Sequence, residues 1–355
     1  MRIDEFCQSL QRLGAKQAHI DRILRAWLQA KPLDAGSRRQ AAENFLPLQV
    51  RAALPDLSLR LDKLARVLSE HPGEEGARLL VELADGQTVE SVLLPRDGVC
   101  ISSQIGCAVG CSFCMTGKQG LLRQVSSAEM IAQVVIARAR RPVRRVVFMG
   151  MGEPSHNLEQ VLEAIDLLGT AGGIGHKNLV FSTVGDLRVF ERLPQQRVVP
   201  ALAISLHSSN PELRASLLPR AAPISPDALV ELAESYARAT GYPIQYQWTL
   251  IEGINDSDAE MDGIVRLLSG KYAIMNLIPY NETASLSFRR PSLQHLTAFA
   301  RGLHARGIRT TVRNSVGQDV DGGCGQLRAR QLDGSTAPAR LRRSDQIQRV
   351  DVPSS

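Results

Sequence analysis

No apolar run in this 355-residue chain reaches the ~18 residues that a membrane span needs, so no transmembrane anchor is expected. The first residues, MRIDEFCQSLQRL, scatter charges among apolar positions and lack the apolar core of a secretory signal; the expected compartment is the cytoplasm. Without export, the six cysteines do not read as a disulfide framework. Aromatic residues are scarce, at 4% of the chain, which argues against a base-stacking platform. Internal repeats and low-complexity tracts are missing as well, so a solenoid is not expected.

The residues that are present describe an ordinary soluble globular protein, 44% hydrophobic and 22% charged, long enough for one large α/β domain plus a smaller one. The net charge of +6 leans toward a polyanionic partner. Arginines gather late in the chain, at Arg301, Arg306, Arg309, Arg313, Arg328, Arg330, Arg340, Arg342, Arg343 and Arg349. Such a cluster serves either as a solvated face or for neutralising phosphates.

Helical spacing of Ile3, Phe6, Cys7 and Leu10, then of Ile20, Ile23, Leu24 and Trp27, predicts a helical accessory domain over 1–60, with Cys7 on its apolar face. Two extended runs around Asp85-Gly86 predict a β-hairpin in an extension over 61–97. From residue 98 to 330 short apolar runs alternate with helical patterns. The runs lie at 99–103, 145–149, 179–182, 201–205, 245–251, 273–278 and 308–313. Ser126 and Glu129 form a capping box ahead of one of the helices. This alternation predicts an α/β fold built as a partial (β/α) barrel, with chemistry at the C-terminal ends of the strands. A polar tail, 331–355, follows.

The loop after the first barrel strand reads Cys107-Ala-Val-Gly-Cys111-Ser-Phe-Cys114. Three soft thiolates suit an iron–sulfur cluster or zinc. A structural zinc site needs four protein ligands and usually a second CxxC pair, which is missing. The CxxxCxxC spacing resembles the hallmark of the radical S-adenosylmethionine (SAM) superfamily, in which three cysteines hold a [4Fe-4S] cluster and the open iron chelates SAM. Later strand ends carry Gly152 and Glu153, Ser182, Ser205-Leu206-His207, and Asn281, short polar groups of the kind that a ligand lying across a barrel mouth requires. Cys100 lies on the first barrel strand, and Cys324 lies in the glycine-rich run Asp319–Leu327. A cysteine in such a loop is either a small apolar filler or a nucleophile.

Taken in order, CISSQIGCAVGCSFC, GMGEP with Asn157, SLH, NLIPYN and GGCGQL resemble the RlmN/Cfr family of radical SAM RNA methyltransferases, over about residues 1 to 330. The resemblance implies methylation of a ring carbon of adenosine, C2 or C8, in 23S ribosomal RNA and some transfer RNAs. It implies that Cys324 first takes a methyl group from one SAM, that a radical made from a second SAM removes a hydrogen from that methyl, and that the resulting carbon radical adds to adenine. Cys100 then resolves the adduct through a transient disulfide with Cys324, and Glu90 accepts a proton. Gly152, Glu153, Ser182, Ser205, Leu206, His207 and Asn281 match the positions that hold SAM. A flavodoxin-type reductant and a monomeric enzyme are the expected setting. The chain departs from the family pattern at Gly322-Gly323, where alanines are usual, and at Ser155, Val184 and Lys177. A radical SAM enzyme acting on another substrate, and a metal-stabilised RNA-binding module, are the competing readings.

Overall fold

The computed structural model describes residues 1–35, 45–283, 285–313, 322–323 and 325–327. Cys324, the arginines from Arg328 onward and the tail lie outside the described residues.

The chain opens with helices α1 (Ile3–Arg12), α2 (Gln17–Leu28) and α3 (Leu48–Asp62). Their apolar stripes bury Phe6, Leu10, Ile23 and Leu28 completely, while Cys7 is half-buried against the same core. Three antiparallel strands follow: β1 (Ala65–Pro72), β2 (Ala77–Leu83) and β3 (Thr88–Leu94). The turn at Asp85-Gly86 joins β2 to β3, with Gly86 at φ +82°. Neither α3 nor β1 stands out in the sequence: Pro55 interrupts α3, although Val50, Leu54, Leu57 and Leu61 are buried at helical spacing, and β1 buries none of its residues fully.

Strand β4 (Gly98–Cys100) pairs antiparallel with β3 and parallel with β7 (Arg145–Phe148). Strands β8 (Leu179–Thr183), β9 (Ala201–Ser205), β10 (Ile244–Leu250), β11 (Ala273–Pro279) and β12 (Thr310–Val312) continue the parallel run. Among the described residues these ten strands form one sheet, β1-β2-β3-β4-β7-β8-β9-β10-β11-β12, and the two end strands do not meet. The hairpin β5 (Gln104–Gly106) and β6 (Leu121–Gln124) stands apart as a second, two-stranded sheet. The expected parallel α/β architecture is therefore present as an open, partial barrel.

The crossovers are helices α4 (Ser127–Arg138), α5 (Leu158–Gly169), α6 (Leu187–Arg192), α7 (Pro211–Leu217), α8 (Pro226–Thr240), α9 (Asp258–Leu268) and α10 (Leu293–Ala305). The capping box expected at α4 forms: Ser126 Oγ accepts from the Glu129 N–H, and Glu129 accepts from the Ser126 N–H at 2.8 Å. The amino-terminal helices dock on this layer. The Ile3 N–H donates to Ser127 Oγ at 3.0 Å, the Asp4 N–H to Glu163 at 2.8 Å, and Arg138 to the Leu28 carbonyl at 2.8 Å.

Register separates the two faces of the sheet, because residues paired across a ladder project to the same side. Val99, Val146, Phe148, Phe181, Leu202, Tyr246, Trp248 and Met275 project to one side and form the core against the helices. The other face carries Arg78, Glu90, Cys100, Val147, Ser182, Ala203, Ser205, Gln247 and Asn276. On that face Arg145 of β7 reaches Gln245 of β10 at 3.5 Å. Three strand spacings separate the two residues, roughly 14 Å along a sheet. Curvature toward this face brings their side chains together, so the polar face is the concave, inner one. Among the described residues, no helix is long and apolar enough to cross a membrane.

Candidate active site

Beyond Cys100 the chain stays extended: the Ile101 N–H donates to the Val147 carbonyl at 3.0 Å and the Ser103 N–H to the Met151 carbonyl at 2.9 Å. It then enters β5 and turns sharply at Gly106, whose φ is +72° and where a methyl group would run into the Gly120 carbonyl oxygen. The three thiols lie in the loop between β5 and β6. The Cys107 N–H closes the neck of this loop on the Gly120 carbonyl at 2.9 Å, and the Cys114 N–H donates to the Cys111 carbonyl at 3.0 Å. The thiols belong to a small apolar cluster of their own, with Val109, Phe113, Val184, Leu217, Leu218, Ile251 and Tyr280. Val184, Ile251 and Tyr280 lie just beyond the ends of β8, β10 and β11, so the loop sits at the barrel mouth.

The electrostatics of the loop call for a cation. Burial pushes Cys107 up to about 12, with the Glu153 and Cys114 charges adding to it. Burial, then repulsion from Cys114, Cys107 and Glu153, holds Cys111 well above its ordinary value. Left alone these groups stay protonated at neutral pH; a bound metal centre converts them to thiolates. Among the described residues no three Cys, His, Asp or Glu side chains are gathered as ligands of one ion. A four-iron cluster does not ask for that, since each of its cysteines binds a different iron.

The strand ends converge on the same mouth. Glu153 is buried, and its carboxylate accepts from the Ser155 N–H at 3.1 Å and the Val184 N–H at 3.0 Å, tying the loop after β7 to the loop after β8. Its own N–H donates to Gln104 at 2.8 Å, and a side chain at Gly152 (φ +105°) would collide with Gln104. His207 follows β9 at φ +62°, an unusual conformation for a non-glycine residue. Its Nδ1 accepts from the Thr249 N–H at 3.0 Å, which leaves the proton on Nε2. Burial, then the Arg214 charge, pulls its pKa down to about 3, so the ring is neutral. The ring meets Phe113 of the cysteine loop edge-on, with centroids 4.9 Å apart.

Ser182 and Ser205 project from the inner face near the ends of their strands, Leu206 is fully buried, and Asn281 is buried beyond the end of β11. Glu90 and Cys100 share the inner face on the flank of the site, and Glu90 pairs with Arg78, both fully buried. Cys324 lies outside the described residues, but the residues around it are docked at the mouth. The Met115 N–H donates to the Gly325 carbonyl at 2.8 Å and Thr116 to the Leu327 carbonyl at 2.7 Å. A methyl group on Gly323 would lie 2.9 Å from Asn281 Nδ2.

Residues 101–262 match the radical SAM superfamily. A probable RNA methyltransferase of Dechloromonas aromatica is 75% identical over 338 residues, 95% of either chain. Another, of Pseudomonas aeruginosa, is 66% identical over 96% of this chain and 99% of that one. The crystal structure of a radical SAM methyltransferase from Sphaerobacter thermophilus superimposes with a TM-score of 0.81 at 36% identity, covering 93% of this chain and 98% of that one. The chain belongs to the radical SAM methyltransferase family.

Membership brings SAM and a [4Fe-4S] cluster, and the soft, apolar, thiol-lined loop suits that cluster. Family resemblance did not point to several residues that build the site. Gln104 braces the Glu153 loop from the start of β5. Asn255 donates to the carbonyls of His207 (2.6 Å) and Thr249 (2.8 Å) and accepts from the Ile251 N–H (2.8 Å), so it fixes the turn that presents the histidine. Arg214 sits on α7, a seven-residue helix too short to leave a periodic signal.

Proposed function

We propose that this enzyme methylates a ring carbon of adenosine, C2 or C8, in RNA, as the RlmN/Cfr family does, with ribosomal RNA as the first candidate and transfer RNA as the second. The observation that carries this reading is the placement of Cys100 and Glu90 on the inner face leading into the cysteine loop, with the neighbours of Cys324 docked on that loop and on Asn281. A radical SAM enzyme using only its cluster needs no further thiols around its mouth. The basic balance of the chain and the names of its relatives favour RNA as substrate.

In this reading Cys107, Cys111 and Cys114 are the cluster ligands, and the cluster when bound supplies one electron to the SAM sulfonium. Gly152, Glu153, Ser182, Ser205, Leu206, His207 and Asn281 hold SAM. The buried Glu153 carboxylate, fixed by two backbone N–H groups, would accept from the SAM ammonium. Cys324 is the methyl acceptor and the covalent link to the base, Glu90 takes the proton lost from the ring carbon, and Cys100 attacks the Cys324 sulfur to release the methylated base.

The test is to purify the protein anaerobically, reconstitute it with iron and sulfide, incubate it with SAM alone and weigh the peptide that contains Cys324. A methyl group on Cys324, absent from Cys324→Ala, is the expected result. An iron protein that cleaves SAM but never methylates Cys324 would leave a radical SAM enzyme with another substrate. A colourless zinc protein would remove the cluster assignment itself.

A further inference from the structure

Helix α7 carries a buried cation, Arg214, whose surface is only 4% exposed. Its guanidinium donates to the carbonyls of Leu206 at 3.1 Å and Ser205 at 3.2 Å, and to that of Val184. These carbonyls lie at or just beyond the ends of β8 and β9. Among the described residues, no carboxylate forms an ion pair with it. A buried charge met only by backbone dipoles is costly and calls for an anion nearby.

The anion's place is set by what α7 touches. The Ser112 N–H, inside the cysteine loop, donates to the Leu217 carbonyl at 3.0 Å. Leu213 and Leu217, on either side of Arg214 in the helix, pack into the apolar cluster that contains the three cysteines, and so does Val184. Burial draws Arg214 down to about 10, and the charge of Cys111 opposes that fall. It remains a cation at neutral pH.

We propose that Arg214 is a built-in counter-charge of the iron–sulfur cluster, beside the Arg220 guanidinium that lies against Gly110 of the loop, and that it raises the cluster's reduction potential as well as clamping the two strand ends. This rests on the assignment of Cys107, Cys111 and Cys114 as ligands. A [4Fe-4S] cluster held by three thiolates is already anionic, and one electron from an external reductant adds a further negative charge. A fixed cation in dry surroundings stabilises the more negative, reduced state more strongly. The opposite charge at the mouth, Glu153, is held by the Ser155 and Val184 N–H groups and stands ready for the ammonium of SAM.

The full chain, Arg214→Lys and Arg214→Gln are to be reconstituted anaerobically and their iron counted. Each is then titrated with dithionite, without SAM, while the electron paramagnetic resonance signal of the reduced cluster is followed. The expected result is a midpoint for the lysine variant close to that of the parent, and a glutamine variant shifted to lower potential at equal iron content. Should Arg214→Gln load less iron than Arg214→Lys while showing the same circular dichroism, a charge requirement is again supported. A glutamine variant with the parent's midpoint, or a lysine variant shifted as far as the glutamine one, reduces Arg214 to a clamp and overturns the proposal. A parent chain that binds no iron sinks the three-cysteine assignment, and this inference with it.

Discussion

Replacing Arg78 by methionine leaves Glu90 as a buried carboxylate without its guanidinium. The two side chains are 1% and 0% exposed, so water cannot take over the lost interaction without opening the sheet. Breaking a buried pair from one side costs about 3–5 kcal/mol, whereas replacing both partners by apolar groups of similar volume is often neutral or stabilising. Arg78→Met should therefore lower the folding equilibrium constant by roughly two to nearly four orders of magnitude, at about 1.4 kcal/mol per tenfold. The double variant Arg78→Met/Glu90→Leu should recover most of the loss. Urea unfolding followed by the fluorescence of Trp27 and Trp248, both buried, reads the midpoint and slope for the parent, both single variants and the double variant. A cost below about 1 kcal/mol for Arg78→Met, or strictly additive losses in the double variant, would refute the argument that the two charges depend on each other.

Other outcomes follow from the same geometry. His207 has a folded pKa of about 3 and an ordinary value of 6.5, so between those values the unfolded chain binds a proton that the folded chain does not. Stability should fall as pH drops from about 6.5 toward 3, by about 1.4 kcal/mol per unit from this group, or about 2 kcal/mol at pH 5. His207→Gln should flatten that part of the profile in urea titrations at pH 7 and pH 5, and an unchanged slope counts against it. Gly106→Ala combines an unfavourable φ with a backbone collision and should cost at least about 2 kcal/mol, with loss of iron uptake by the reconstituted protein. Thermal unfolding and iron counting check both parts. Gly323→Ala, which restores the alanine usual in the family, would set a methyl group 2.6 Å from Gln326 Oε1 and 2.9 Å from Asn281 Nδ2. Binding of labelled SAM in equilibrium dialysis should weaken several-fold, and undiminished binding would show that Asn281 moves freely.

The parallel strands were legible because buried parallel strands read as short, continuous apolar runs: those at 145–149, 179–182 and 201–205 fall where β7, β8 and β9 form, to within a residue. Helix α4 announced itself by its capping box, whereas α6 and α7 are a turn or two long and leave no period. The cysteine loop and the strand-end residues could be seen as motifs, but motifs carry no partners. That Glu153 links two loops through backbone N–H groups, that Asn255 holds the His207 turn, and that Arg214 lies buried against the Val184 carbonyl all depend on contacts between residues tens of positions apart. Composition hid Arg214 among the arginines at large. Some of these are ordinary surface ions, such as Arg306, which pairs with Asp262 at 2.5 Å.

Strand β4 is three residues long, yet it is bonded along both edges, to β3 on one side and β7 on the other. The meander β1–β3 therefore works as a selvedge for the barrel: it finishes an edge that would otherwise fray. A chain begun at residue 98 would present a raw row of N–H and C=O groups beside Cys100, ready to accept a strand from any passing molecule. Trimming the amino-terminal part to obtain a smaller enzyme should give a sticky, self-associating product, because in this sheet the region before residue 98 and the barrel share a seam.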